Sequence, residues 1–192
     1  MGKKGDDTRK LIKEKACSLF AKKGFKNVTM QDICKETGLS RGGVYRHYDS
    51  THEIFSEIID ALMSRQDHEL SEKIEKGCPA VQILDEILER YKREMMDRAG
   101  SLSVAIYEFY SEHQINREDH ALFRQYRYSA EMWKNFISYG IERGEFKKVD
   151  CEEIIDTILF SYQGVRMFST IVPIDEQIPQ RIIDHIKKTL FI

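Results

Sequence analysis

The sequence predicts an all-α protein of about nine helices, and three observations carry that prediction. Only three prolines occur in 192 residues (Pro79, Pro173 and Pro179), and none interrupts a long periodic segment. Leu, Ile, Glu and Lys are abundant, as helices tolerate well. Apolar residues recur at the 3.6-residue period, and no alternating stretch is long enough to build a sheet.

The first helix is expected to be capped by Asp7 or Thr8, with Ile12, Ala16, Leu19 and Phe20 inward. Lys22 and Lys23 complement its C-terminal dipole, and Gly24 suits a left-handed stop. Thr29 caps the second helix, whose apolar positions are Met30, Ile33 and Cys34, and Thr37-Gly38 ends it. Leu39 fills a turn, and Ser40 caps a short third helix over Arg41–Tyr48. Ser50 with Glu53 reads as a capping box for a long fourth helix reaching about Lys76. Beyond Pro79 the stripes continue: Val81 to Tyr91, then Leu102 to Tyr110 ending near His113. A long helix over about Glu118–Glu142 is closed by Gly144-Glu145-Phe146. Residues 151–171 and 175–191 form the last two helices, separated by Pro173.

The division that follows is a helix-turn-helix domain over residues 1–50 and a helical domain over 51–192. Charge supports it. Residues 1–48 hold 12 Lys/Arg against 5 Asp/Glu, and the remainder holds 18 against 27. A basic block on an acidic body suits a nucleic-acid reader with a second role. The 41% apolar and 32% charged fractions describe a globular chain rather than a disordered one. Cys17, Cys34, Cys78 and Cys151 are scattered, with no C-x-x-C pair, so neither a metal site nor a cofactor is expected. The N-terminus has neither signal-peptide nor myristoylation character, and no apolar run approaches a membrane span. A cytoplasmic protein without membrane partners is the expectation.

The segment Thr29–Phe55, T-M-Q-D-I-C-K-E-T-G-L-S-R-G-G-V-Y-R-H-Y-D-S-T-H-E-I-F, carries the functional signal. It reads as helix, glycine-containing turn, helix, with Ile33, Leu39 and Val44 spaced to lock the pair. The free side of the second helix then carries Arg41, Gly42, Tyr45 and Arg46, where a recognition helix meets base edges in the major groove. Gly42 and Gly43 each cost a helix roughly 1 kcal/mol relative to Ala. Two reasons could offset that cost: close approach of backbone to DNA, or relief of crowding between helices, and one glycine could serve each.

This segment resembles the TetR family of bacterial transcriptional regulators. The likeness lies in F-A-K-K-G-F, T-M-Q-D-I, G-L-S-R-G-G-V-Y-R-H-Y and S-T-H-E-I-F, and it covers the first ~60 residues closely. Beyond them only the helical layout and G-I-E-R-G-E-F at 140–146 match. The resemblance implies a C-terminal ligand-binding and dimerisation domain, a homodimer, a palindromic double-stranded operator and repression relieved by a small hydrophobic effector. By position it implies phosphate contacts from Thr29 and Ser40, and guanine reading by Arg41 first and Arg46 second. Tyr45 and His47 would reach phosphates, while Tyr48 stands where Phe is usual and packing is expected. At position 51 the family commonly has Lys; Thr51 leaves a hydroxyl and a helix N-terminus there, without a charge.

The body is rich in inward aromatics, which either fill its core or line a cavity. Polar residues on or near those stripes include Glu108, His113, Gln163 and Arg166. The resemblance implies an effector pocket between the fourth to eighth helices, for which Tyr107, Tyr110, His113, Tyr126, Trp133, Phe136, Tyr162, Gln163 and Arg166 are the expected lining. Helix 151–171 is apolar over a broad arc and Gly164 permits close approach. Ile154, Ile158, Val165, Ile178, Ile182 and Ile186 are therefore expected at a dimer interface. Two other readings stay open: an architectural DNA-binding protein with a filled core and no effector, and an all-helical enzyme. No nucleophile–base pair, phosphate loop or metal constellation supports the enzyme, so no catalytic residue is assigned.

Overall fold

The structure is a computed structural model that describes residues 3–97, 100–111 and 121–192. Among the described residues it has nine α-helices and no strand. They are α1 (Lys3–Lys23), α2 (Met30–Thr37), α3 (Arg41–Tyr45), α4 (Thr51–Glu75), α5 (Ala80–Met96), α6 (Ser103–Ser111), α7 (Ala121–Glu142), α8 (Cys151–Ile171) and α9 (Gln177–Leu190). The chain forms two compact units.

The first unit holds α1 to α3, α4 as far as Arg65, and α6. Its core is built on Ile12, Phe20, Phe25, Ile33, Val44, Tyr48, Ile54 and Phe55. Helix α1 starts at Lys3, ahead of the expected caps Asp7 and Thr8. Gly24, at φ 76°, ends it with its amide donating to the Phe20 carbonyl at 2.9 Å. The sequence reading put the stripe Leu102–Tyr110 in the C-terminal body. In the structure Leu102, just before α6, and Ala105 and Phe109 of α6 are instead buried in this first core. The Phe109 ring meets Phe25 at 4.9 Å, Phe55 at 5.1 Å and His52 at 4.5 Å. Hydrophobic association is non-directional, so a stripe shows that a helix is buried but not which neighbour buries it.

The second unit holds the rest of α4, then α5, α7, α8 and α9. Trp133, Phe136 and Ile137 of α7 are fully buried among Leu84, Leu88, Tyr91, Ile155, Ile158 and Ile183. The turn after α7 has a specific geometry. A Cβ on Gly140 would lie 2.2 Å from the Phe146 ring, so only glycine lets that ring fold back. The Gly140 carbonyl accepts the amides of Glu145 and Phe146. Glu145 then accepts the Val81 amide at 3.1 Å, satisfying one free donor at the start of α5.

Candidate nucleic-acid interface

Helix α2 is fixed at its start by a reciprocal cap. The Thr29 hydroxyl accepts the Asp32 amide at 3.1 Å, and the Asp32 carboxylate accepts the Thr29 amide at 2.9 Å. Lys23 adds an ion pair to Asp32 at 2.9 Å. That contact, then the Thr29 bonds, hold the Asp32 carboxyl well below the usual carboxylate range. The Thr29 hydroxyl also donates to Asp32, so it is committed to the cap. What Thr29 presents outward is the N-terminal end of a helix.

Gly38, at φ 70°, turns the chain out of α2. The Ser40 hydroxyl accepts the Gly43 amide at 3.1 Å and opens α3, as the sequence reading expected. Helix α3 is shorter than the expected Arg41–Tyr48: it ends at Tyr45, and Arg46–His47 form a turn. Its hydrogen bonds run out once the His47 and Tyr48 amides both close on the Val44 carbonyl. Val44, at 0% exposure, anchors the inner side together with Tyr48 at 1%. Burial raises the Tyr48 hydroxyl far above its ordinary pKa, so it is a neutral packing group.

The outer side carries Arg41, Gly42, Tyr45 and Arg46, all exposed. The Arg41 guanidinium sits 5.2 Å from the Tyr45 ring centroid, a cation–π contact that narrows its freedom. A Cβ on Gly42 would meet nothing within 4 Å, so crowding inside the protein does not explain that glycine. At Gly43 a Cβ would come within 3.3 Å of the Ser40 hydroxyl, so this glycine serves the cap. His47 is half-buried, with Nδ1 enclosed and unpartnered. Thr51 is the half-buried first residue of α4. The expected Ser50–Glu53 box is half right. Ser50 accepts the Glu53 amide at 3.2 Å, but the Glu53 carboxylate accepts Asp49, one residue earlier.

Sequence reasoning missed two sets of contacts. Arg9 of α1 donates to the His47 carbonyl at 3.0 Å and to Glu57 of α4 at 2.5 Å, while Lys13 donates to Glu57 at 2.8 Å. Burial alone would raise the Glu57 carboxyl; the hydrogen bonds from Lys13 and Arg9 outweigh it and hold the group down to about 2. Glu108, expected near the effector stripe, accepts the Lys26 amide at 3.0 Å and lies where a Gly24 side chain would go. Separations of 38 to 82 residues leave no local signal for either set.

This helix-turn-helix matches the family model described as "Bacterial regulatory proteins, tetR family" over residues 12–58. A second model, "Tetracyclin repressor-like, C-terminal domain", matches residues 83–177. The chain belongs to the TetR family. A curated relative, the "Uncharacterized HTH-type transcriptional regulator YfiR" of Bacillus subtilis, is 32% identical over 142 residues, covering 72% of this chain and 67% of its own. The "HTH-type transcriptional repressor KstR2" of Rhodococcus jostii is 28% identical over 153 residues, 79% and 73% of the two chains. A TetR transcription regulator from Haloarcula marismortui shares the fold with a TM-score of 0.72 at 23% identity, over 96% of this chain and 99% of that one. As a TetR-family member the protein is a DNA-binding transcriptional regulator.

In this TetR-family body the residues expected to line a pocket are not gathered in one unit. Tyr107, 64% exposed, and Tyr110, packed on the first core, belong to the first unit. His113 lies outside the described residues. In the second unit Trp133 and Phe136 fill the core, and Tyr162 stacks on Tyr91 with ring centroids 4.0 Å apart. The Tyr162 hydroxyl donates to Glu94, and Arg166 lies over its ring at 5.0 Å. Tyr126 donates to Asp156 at 2.7 Å, and Gln163 is exposed. A recess beside Leu70, Ile83, Tyr91 and Met132 has about 20 Å³ of space, room for one water. An open cleft of about 500 Å³ is lined mostly by charges, among them Glu69, Lys73, Glu86 and Arg90.

The expected dimer residues also divide. Ile154, Ile158 and Ile186 are buried in their own chain's core, Val165 and Ile182 are half-buried against it, and Ile178 is half-buried. The uncovered apolar side of α8 is Phe160, Phe168 and Ile171, at 64%, 64% and 75% exposure, with Gly164 open between them. The sequence reading placed Ile154, Ile158 and Val165 outward on this helix, whereas Ile154 and Ile158 face their own core. Among the described residues no group of acidic, His or Cys side chains could hold a metal, and no helix is long and apolar enough to cross a membrane.

Proposed function

We propose that the protein is a homodimeric repressor that binds a palindromic operator through α3 and releases it on binding a small hydrophobic effector. One observation carries the DNA reading: Arg41 and Tyr45 stand exposed on a helix whose Val44 is fully buried, and Arg46 stands exposed in the turn that follows. Arg41 reads guanine, with Arg46 second, and Gly42 admits the backbone to the groove wall. Tyr45 and His47 meet phosphates, His47 through Nε2. The helix ends at Thr29, Ser40 and Thr51 add backbone anchors.

The dimer forms across the exposed side of α8, where Phe160, Phe168 and Ile171 present apolar surface that water disfavours. A twofold axis then spaces two recognition helices about 34–36 Å apart. Repression is supported by the Rhodococcus jostii relative, which is named a repressor. The effector reading rests on a buried polar atom in the second unit: Arg166 Nε is enclosed without a hydrogen-bond partner, which a ligand's acceptor would satisfy. Helix α4 belongs to both units and is the covalent route for the coupling, typically 1–3 kcal/mol in such proteins.

Selecting bound duplexes from random DNA with the purified chain tests the reading. Enrichment of an inverted repeat supports it; no enrichment, or an asymmetric single site, removes it. The closed packing around Trp133 and Phe136 favours a second reading, an architectural DNA-binding protein without an effector. A panel of hydrophobic, cationic and acyl compounds separates the two. A raised thermal midpoint supports the effector, and a flat response across the panel supports the filled core.

A further inference from the structure

Helix α3 is five residues long, and a single helical turn is unstable alone. Something outside the helix-turn-helix motif has to fix its C-terminal end. Val44 and Tyr48 anchor its inner side, but the two turn residues before Tyr48, exposed Arg46 and half-buried His47, gain little from that packing unless their backbone is held. Arg9 supplies the hold. From α1 its guanidinium donates Nη1 to the His47 carbonyl at 3.0 Å and Nη2 to Glu57 Oε2 at 2.5 Å. Its plane lies over the Tyr48 ring, 4.3 Å from the centroid. Lys13 fixes the other Glu57 oxygen at 2.8 Å. One planar fork thus joins three helical elements, a geometry that a point-charge ammonium cannot reproduce.

We propose that Arg9 is a positioning residue for operator recognition: by clamping the His47 carbonyl to α1 and α4 it sets the angle at which Arg41, Tyr45 and Arg46 leave the protein. The inference rests on α3 being the DNA reader. Its rival is a direct phosphate contact by Arg9, and the two differ in salt dependence. A positioning residue changes specificity and leaves the number of released counterions alone, whereas a lost phosphate contact lowers the salt slope by about one unit.

The test measures binding of the full chain and its Arg9→Ala, Arg9→Lys and Glu57→Gln variants. The probes are the selected operator and a scrambled duplex of equal length, between 50 and 200 mM salt. Arg9→Ala is expected to weaken operator binding at least tenfold and scrambled binding less than threefold, with an unchanged salt slope. Arg9→Lys keeps the charge but fails to restore operator affinity, and Glu57→Gln shifts affinity in the same direction. A slope lower by one unit, an equal loss on both duplexes, or full rescue by lysine overturns the proposal. Should Arg9→Ala not fold, Arg9→Lys carries the comparison. Amide exchange at Tyr48 without DNA, faster in Arg9→Lys than in wild type, reads the clamp alone; unchanged exchange overturns it. A wild-type chain that selects no DNA instead overturns the reading of α3.

Discussion

Replacing Phe109 by Ala tests whether α6 belongs to the DNA-reading unit. The side chain is 6% exposed and its ring meets those of His52, Phe25, Phe55 and Tyr110 at 4.5, 4.9, 5.1 and 5.1 Å. Removing a buried phenyl group costs about 3–5 kcal/mol. Aromatic pairs add roughly 0.5–1.5 kcal/mol beyond their buried area, so the upper half of the range applies. Domains are stable by only about 5–15 kcal/mol, and a loss of about 4 kcal/mol leaves this unit marginal. The assay is hydrogen exchange of the α1 core amides, at Ala16, Leu19 and Phe20. Where exchange follows unfolding of the unit, protection should fall roughly a thousandfold, at 1.4 kcal/mol per decade. A fall of less than tenfold in α1, or one confined to α6, would refute the packing argument.

Gly42→Ala should leave the fold intact and stabilise it by about 0.5–1 kcal/mol, because its Cβ enters open space; operator affinity should nonetheless fall, and denaturant melts beside binding curves check both. Thr51→Lys should steepen the salt dependence of operator binding by about one unit, read from affinities at several ionic strengths. Glu57 is held down to about 2 from an ordinary 4.5, so its contribution is complete above about pH 4.5 and is lost as pH falls toward 2. A third of that side chain is exposed, so screening trims the contribution to about 1–2 kcal/mol. The stability difference between wild type and Glu57→Gln should shrink by that amount over the interval, and a constant difference contradicts it.

Local chemistry was legible in the sequence, and long-range choices were not. The cap at Thr29, the stop at Gly38 and the cap at Ser40 depend on neighbours within four residues, and each stands where the residues indicated. Helix α3 stopped early because the residues after Tyr45 pack and turn rather than continue the ladder. The stripe Leu102–Tyr110 announced a buried helix, but Phe25 and Phe55, the partners of its Phe109, lie far away in sequence. Helix α8 has apolar residues on most of its circumference, so periodicity could not say which arc its own core would take. The Arg9–Glu57 bond left no trace because a surface-type ion pair has no spacing rule across 48 residues.

The most direct test of the account is the operator specificity of Arg41→Ala, measured against every single-base variant of one half-site. If α3 reads bases in the major groove, discrimination should collapse by about 1–3 kcal/mol at one base pair and persist at the others. A uniform loss across all positions, or none, would contradict the claim that Arg41 reads sequence.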